Sequence, residues 1–313
     1  MEDTVASDGY MGFVGVTTGA SSIMRVFPAW ADVLGLPTRR LVGHDIPLGA
    51  PPEVFRDVVT GISDDPKHHG ALVTTHKMSV FEHSGDLFDE LDELAVTFGE
   101  ISSIAKRGPR LIGAAKDPVT VRLALEDFVA PDHFSRTGGA ALILGAGGSG
   151  SALSHQLGVR EDRPSRIICT ARRQKSLDHL RSLHEAAGID PATVEYALVR
   201  DTAETDALLA GLPDDSLVAN ATGLGKDRTG SPLSDAAVFP RRAIAWEFNY
   251  RGSLEFMHQA QAQGQQRELR IEDGWRYFVH GWSQVVADIF DIPMSSHTVD
   301  QLARVATDVR NQK

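Results

Sequence analysis

Apolar and polar positions alternate along the chain in short blocks whose period switches between two residues and three to four. Gly12-Phe13-Val14-Gly15-Val16 reads as a first strand running into a turn. Over residues 24–36, Val26, Trp30, Val33 and Leu34 fall on one side at helical spacing. Short strands follow at 40–43 and 70–75. Residues 87–98 carry the Leu/Ala spacing of a helix stopped by Gly99. Residues 101–104 and 111–113 read as a hairpin around Lys106-Arg107-Gly108-Pro109. Mid-chain, the unbroken apolar run Ala140-Ala141-Leu142-Ile143-Leu144 predicts a strand buried on both faces, as in a parallel sheet. It leads into a glycine-rich turn and a helix from Ser151 to about Leu157. Further strands are predicted at 166–170, 217–220 and 243–246, and helices at 176–187, 255–263, 274–288 and 299–309. Alternation of this kind predicts α/β layers built on parallel strands.

Composition narrows the class. The chain has 313 residues, which at ~150 per domain suggests about two domains. Hydrophobic residues make up 42% and charged residues 23%, which excludes wholesale disorder, a collagen-like chain and a disulfide-stapled mini-protein. No apolar run approaches the ~18 residues of a membrane-spanning helix. The start, Met1-Glu2-Asp3-Thr4, is acidic and lacks the blocks of a signal peptide. A single cysteine, Cys169, cannot form an internal disulfide and fits a reducing cytoplasm, so a cytoplasmic protein is expected. The net charge of −11 disfavours nucleic acid and anionic membranes as partners. An anionic small molecule would therefore need a local cluster of bases.

Gly145-Ala146-Gly147-Gly148-Ser149-Gly150 has the G-x-G-x-x-G spacing of a dinucleotide site, and it follows a strand and opens a helix. The first glycine permits the tight turn, the second lets backbone approach the pyrophosphate, and the third lets helix pack on strand. Binders of NAD usually place Asp or Glu about 20 residues further on, to hold the ribose 2′-hydroxyl. This chain has Thr170-Ala171-Arg172-Arg173 there, with no carboxylate before Asp178. Two guanidiniums suit a 2′-phosphate, so the expected cofactor is NADP(H).

Several further segments resemble the shikimate/quinate dehydrogenase family, in the family's order and over residues 12–293. They are Gly70-Ala71-Leu72-Val73-Thr74-Thr75-His76-Lys77, Gly99-Glu100-Ile101-Ser102-Ser103-Ile104, Gly113-Ala114-Ala115-Lys116-Asp117, the glycine loop, Asn220-Ala221-Thr222-Gly223-Leu224-Gly225, Glu247-Phe248-Asn249-Tyr250 and Asp273-Gly274. The resemblance implies a Rossmann-like doubly wound NADP domain over 118–273. An α/β substrate domain would be formed by 1–117 and completed by the C-terminal helices of 274–313. It implies an NADP-dependent oxidoreductase interconverting a cyclic keto acid and hydroxy acid, such as 3-dehydroshikimate and shikimate, in aromatic amino acid biosynthesis. A monomer or homodimer is expected.

Within that resemblance Lys77 and Asp117 are the catalytic pair, meeting across the cleft. A positioned ammonium protonates the oxygen left by hydride transfer and stabilises its charge, while the carboxylate orients it and accepts from a substrate hydroxyl. Ser21, Thr74, Ser102, Tyr250 and Gln284 take the substrate-binding positions. Asn220, Ala221, Thr222, Phe248 and Gly274 line the nicotinamide half, and Thr170, Arg172 and Arg173 the adenosine half. Departures from the family pattern touch the substrate grip. Ile23 replaces the second serine of an early Ser-x-Ser loop, Ser102 and Ala115 replace asparagines, Leu72 and His76 replace Asn and Pro, and Gly281 replaces a glutamine, with Gln284 one turn later. Arg25 and Lys116 are candidates for added positive charge, with surface roles as the alternatives. Because polar pockets discriminate through such groups, a changed or relaxed substrate is expected. Competing readings are a methylene-tetrahydrofolate dehydrogenase-like enzyme and a non-catalytic NADPH-binding regulator.

Other features carry less. His68, His69, His76 and His83 lack the spacing of a zinc site, and no metal is expected. Trp275, Tyr277, Phe278 and Trp282 read as core packing on a helix.

Overall fold

The computed structural model describes residues 9–226 and 228–312. The acidic start at Met1–Thr4 lies outside them. The chain divides into two compact units, one of Met1–Lys116 with Val279–Lys313 and one of Asp117–Phe278.

The first unit holds β1 (Tyr10–Gly15), α1 (Ile23–Leu34), β2 (Leu41–Asp45), α2 (Pro52–Asp64), β3 (His68–Val73), α3 (Lys77–Ser84), β4 (Glu90–Leu91), α4 (Glu93–Phe98), β5 (Ser103–Arg107) and β6 (Arg110–Ala114). The second runs through α5 (Asp117–Phe128), α6 (His133–Thr137), β7 (Ala141–Leu144), α7 (Gly148–Val159), β8 (Ile167–Ala171), α8 (Gln174–Ala186), β9 (Val194–Leu198), α9 (Thr202–Ala210), β10 (Leu217–Asn220), β11 (Ile244–Glu247), α10 (Glu255–Arg267) and β12 (Arg270–Glu272). The unit boundary falls inside α11 (Trp275–Phe290), and α12 (Ser296–Asn311) returns to the first unit.

In the first unit the sheet order is β2-β1-β3-β5-β6-β4. The first three strands run parallel, and β5 and β6 form the antiparallel hairpin expected from sequence, turned at Gly108 with φ +62°. Val14, Val73, Ile46, Phe55, Val59 and Ile62 are among the residues that fill the core between this sheet and α2. The buried Trp30 of α1 donates from Nε1 to Leu302 O of α12 at 2.9 Å.

One expected element breaks up. Residues 87–98 do not form a single helix, because Glu90 and Leu91 pair with Ile112 and Gly113 as β4. Asp89 Oδ2 accepts Leu111 N–H at 2.7 Å. Asp92 then caps α4, its Oδ1 accepting Ala95 N–H at 2.6 Å. Apolar spacing alone does not register a carboxylate cap that restarts the helix.

The His68 ring of β3 stacks on His44 of β2 with centroids 5.5 Å apart and meets the Tyr10 ring of β1 at a tilt of 57°, centroids 4.6 Å apart. His68 Nδ1 accepts Gly70 N–H at 3.1 Å, so Nε2 carries the proton and faces His44 Nε2 at 3.3 Å. Burial pushes His68 down to about 3 from 6.5, and His44 and Lys106 act in the same direction. A base with a depressed pKa contributes stability that is present above its unfolded value and is lost as pH falls toward the folded one. Acidification from pH 6.5 toward 3 is therefore expected to destabilise the chain by roughly 2–4 kcal/mol more than it does His68→Asn. Urea midpoints across that range check this; parallel pH curves for the two proteins would exclude it.

The second unit is an all-parallel sheet in the order β12-β11-β10-β7-β8-β9, a doubly wound arrangement in which chain direction across the sheet reverses between β7 and β10. Leu142, Leu144, Ile168, Val218 and Ala245 are buried in its core. Cys169, in the middle of β8, has no exposed surface, and burial pushes its thiol up to about 12. The α/β class expected from the chain pattern is what the structure shows. Among the described residues no helix is long and apolar enough to cross a membrane.

Candidate functional site

The glycine turn sits at the carboxyl end of β7. Gly145 has φ +104°, and a Cβ there would lie 2.9 Å from Ala221 O. A Cβ on Gly150 would lie 1.9 Å from Gly145 O, so the third glycine sets the close approach of α7 to the turn. Around Gly147 the space is open. It is the N-cap of α7, whose first-turn N–H groups have no acceptor within the helix. This is an anion cradle of backbone donors, with room where a pyrophosphate would lie, and the residues present fit a dinucleotide. Ala146, Gly148 and Ser149 line the same turn, and Ser149 Oγ lies 3.3 Å from Tyr277 OH.

Thr170 is buried, and Gly145 N–H points to both its carbonyl (3.2 Å) and its Oγ1 (3.3 Å). Its side chain thus faces the glycine turn. Arg172 and Arg173 follow β8 directly; both are exposed, and Arg173 is the N-cap of α8. Neither makes an ion pair with the described residues.

At the ends of β10 and β11 stand Asn220 and Glu247, both without exposed surface. Asn220 Oδ1 accepts from Thr222 N (3.1 Å) and Thr222 Oγ1 (2.7 Å), and Asn220 Nδ2 donates to Glu247 Oε2 at 2.7 Å. Burial pushes the Glu247 carboxyl up to about 7 against the N–H donors that favour its charged form. Phe248 packs on Trp246, the rings tilted with centroids 3.9 Å apart, and Tyr250 lies against Phe278 at 4.6 Å. Gly274 packs so closely on Phe248 that a Cβ would lie 2.0 Å from Phe248 O. Asp117 is buried in the first turn of α5, where a carboxylate meets the positive helix end.

In the first unit Ser21 and Thr74 follow the carboxyl ends of β1 and β3, and Ser102 stands beside the end of β3, where Val73 N–H donates to its carbonyl at 2.9 Å. Thr74 donates from N (3.0 Å) and Oγ1 (3.2 Å) to Val14 O. Lys77 opens α3, half-buried, and its carbonyl accepts Ile101 N–H at 3.1 Å, beside Ser102. Ser102 Oγ accepts Lys116 N–H at 2.6 Å, which ties this hydroxyl to its own backbone. His76, standing before Lys77, is buried and donates from Nε2 to Ile46 O at 2.7 Å, pinning the start of α3. Ser21 is half-buried after a 3-10 turn (Thr18–Ala20). That turn is anchored by Thr18, whose N (2.8 Å) and Oγ1 (2.6 Å) donate to Asp45 Oδ1 and hold that carboxyl below its usual range. Gln284 is half-buried on α11.

Two sequence candidates for extra positive charge are committed elsewhere. Lys116 Nζ lies 3.4 Å from Asp288 and 3.9 Å from Asp92, neither turned to solvent nor left over for a ligand. Arg25 is exposed on α1 and donates to Gln312 O at 3.3 Å, the helix-surface alternative. The sequence assigns no role to Glu247 beyond its place in Glu247-Phe248-Asn249-Tyr250; the signal it carries is a carboxylate ending the apolar run Ile244-Ala245-Trp246. Among the described residues no three of His, Cys, Asp or Glu converge to hold a metal.

No protein-family model matches the chain. It is 27% identical over 181 residues to the shikimate dehydrogenase (NADP(+)) of Lactococcus lactis subsp. cremoris, covering 58% of this chain and 60% of that protein. It is 28% identical over 253 residues to that of Methylobacterium radiotolerans, covering 80% of each. Among solved structures, shikimate 5-dehydrogenase of Thermus thermophilus in complex with NADP(H) and shikimate superposes with TM-score 0.69 at 21% identity, covering 95% of this chain and 99% of that one. The ligand-free 5-ketofructose reductase of a Gluconobacter species superposes with TM-score 0.67 at 18% identity, covering 96% and 98%. At these identities the structural likeness is one of fold.

Proposed function

We propose that this chain, a divergent member of the shikimate/quinate dehydrogenase family, is an NADP-dependent oxidoreductase acting on a small cyclic keto acid such as 3-dehydroshikimate. The observation that carries this is the glycine cradle at the reversal point of a doubly wound sheet, followed at the end of the next strand by two exposed arginines. The relatives with which this chain shares 27–28% identity, NADP-dependent shikimate dehydrogenases, suggest the reaction.

In this reading the unit Asp117–Phe278 takes the nucleotide. The cradle of Gly145, Ala146, Gly147, Gly148, Ser149 and Gly150 holds the pyrophosphate. Thr170 steadies the turn, and Arg172 and Arg173 hold the 2′-phosphate. The loops from Asn220 and Glu247, with Ala221, Thr222, Phe248 and Gly274, hold the nicotinamide. The other unit takes the substrate through Ser21, Thr74, Ser102 and Gln284, and Tyr250 of the nucleotide unit is the remaining substrate-binding candidate. NADPH held by the nucleotide unit would supply the hydride that reduces the substrate carbonyl. Lys77 gives a proton to the oxygen as charge develops there, and Asp117 accepts a hydrogen bond from a substrate hydroxyl.

The test is spectrophotometric oxidation of NADPH with 3-dehydroshikimate, alongside other cyclic keto acids such as 3-dehydroquinate and neutral hydroxyketones. Turnover is expected with a cyclic keto acid at or below about 1 mM, the upper end of ordinary KM values. Binding of NADPH without its oxidation across the panel would point instead to a non-catalytic binder.

A further inference from the structure

The loops that follow β10 and β11 are tied together through one buried side chain. Glu247 Oε2 takes Asn220 Nδ2–H at 2.7 Å, while Oε1 takes Asn249 N–H at 2.9 Å and Asn249 Nδ2–H at 2.6 Å. The network continues through Asn220 Oδ1 to Thr222, and Thr222 Oγ1 accepts Leu224 N–H at 3.1 Å. Leu224 O in turn accepts from Asn249 Nδ2 at 3.1 Å. The same two loops pack on each other further out, where Leu254 N–H meets Gly225 O at 3.0 Å. Leu254 holds the left-handed region there, with φ +48°.

Every hydrogen-bonding group aimed at Glu247 is a donor, so position 247 demands a side chain that only accepts. An amide fails this demand. With its oxygen toward Asn249, a glutamine presents NH2 to Asn220 Nδ2. Turning the Asn220 amide to cure that clash aims its NH2 at Thr222 N–H, which has no acceptor to offer. Burying a carboxylate costs several kcal/mol unless donors compensate it. Here the compensation comes from three donors of Asn220 and Asn249 that close on the two carboxyl oxygens, so the geometry of the two loops is set by what this side chain can accept.

The two loops carry Thr222, Phe248 and Tyr250. In a doubly wound sheet they stand on the side of the reversal point away from the adenosine half, which lies over β8. We propose that Glu247 is a positioning residue for the nicotinamide half of the nucleotide site: its carboxylate locks the β10 and β11 loops in the conformation that receives the ring. The proposal rests on the NADP reading above.

Calorimetric titration of the full chain with NADPH and with 2′,5′-ADP, which occupies only the adenosine half, separates the two ideas. Glu247→Gln is expected to weaken NADPH by about tenfold, the worth of one mismatched buried hydrogen bond, and to leave 2′,5′-ADP within about twofold. Glu247→Asp, which remains an acceptor on every oxygen, should lose less than Glu247→Gln. Asn249→Ala, which removes a donor without adding a clash, should split the two ligands in the same direction and covers the case in which Glu247→Gln does not fold. Equal weakening of both ligands, or no change in either, would overturn the positioning role while leaving the NADP reading intact. A wild-type protein that binds neither ligand would overturn both.

Discussion

Lys77→Ala is expected to lower kcat for reduction of the keto substrate by roughly 10²–10⁴, the usual worth of a positioned general acid, with NADPH affinity nearly unchanged. The side chain leaves the first position of α3, a start fixed by the His76–Ile46 hydrogen bond and by Ile101 N–H on the Lys77 carbonyl. Those restraints act on the backbone and on His76, so they survive the substitution and the fold should not change. The loss should appear in kcat rather than in nucleotide binding, because the ammonium acts where charge develops in the transition state. Stopped-flow single turnovers with saturating NADPH measure it; a loss of less than threefold would remove Lys77 from the mechanism.

The second large effect concerns the nucleotide. Arg172→Ala combined with Arg173→Ala is expected to weaken NADPH by roughly 10²-fold or more, since charge-assisted hydrogen bonds to phosphate contribute ~1.5–3 kcal/mol each. NADH, with a hydroxyl in place of the 2′-phosphate, should change by less than about threefold. Both arginines are exposed and follow β8 directly, so stability should be little affected. The net charge of −11 makes the effect conspicuous, because no general positive field replaces the lost local one. Fluorescence titrations of both nucleotides decide the matter, and equal losses for NADPH and NADH would refute phosphate recognition.

Much of the nucleotide unit is legible in the chain itself. The strand Leu217–Asn220 is readable from its apolar block, and the glycine spacing locates the cradle because each glycine answers a close backbone approach. Such features are local, and the physics that fixes them lies within a few residues. What escapes a linear reading is set by distant partners. Lys116 looks available for a ligand until Asp288, far along the chain, appears 3.4 Å away. The helical spacing at 87–98 gives way because Leu91 finds a place beside Gly113 and Asp92 can cap a new start. Glu247 stands in the chain only as the first residue of the segment Glu247-Phe248-Asn249-Tyr250, and only the fold shows asparagine donors closing over it. Ser102 occupies a candidate substrate position, yet its hydroxyl already receives the N–H of Lys116.

The sealed sulfur at the heart of β8 has a practical use. Its thiolate form is scarce and its surroundings exclude reagents, so a cysteine introduced on the surface would be the one readily alkylated group in the native chain. Dyes or spin probes could then be attached wherever wanted without first deleting Cys169, while that residue, modified only when β8 comes open, keeps an internal clock of how often the nucleotide-side core breathes.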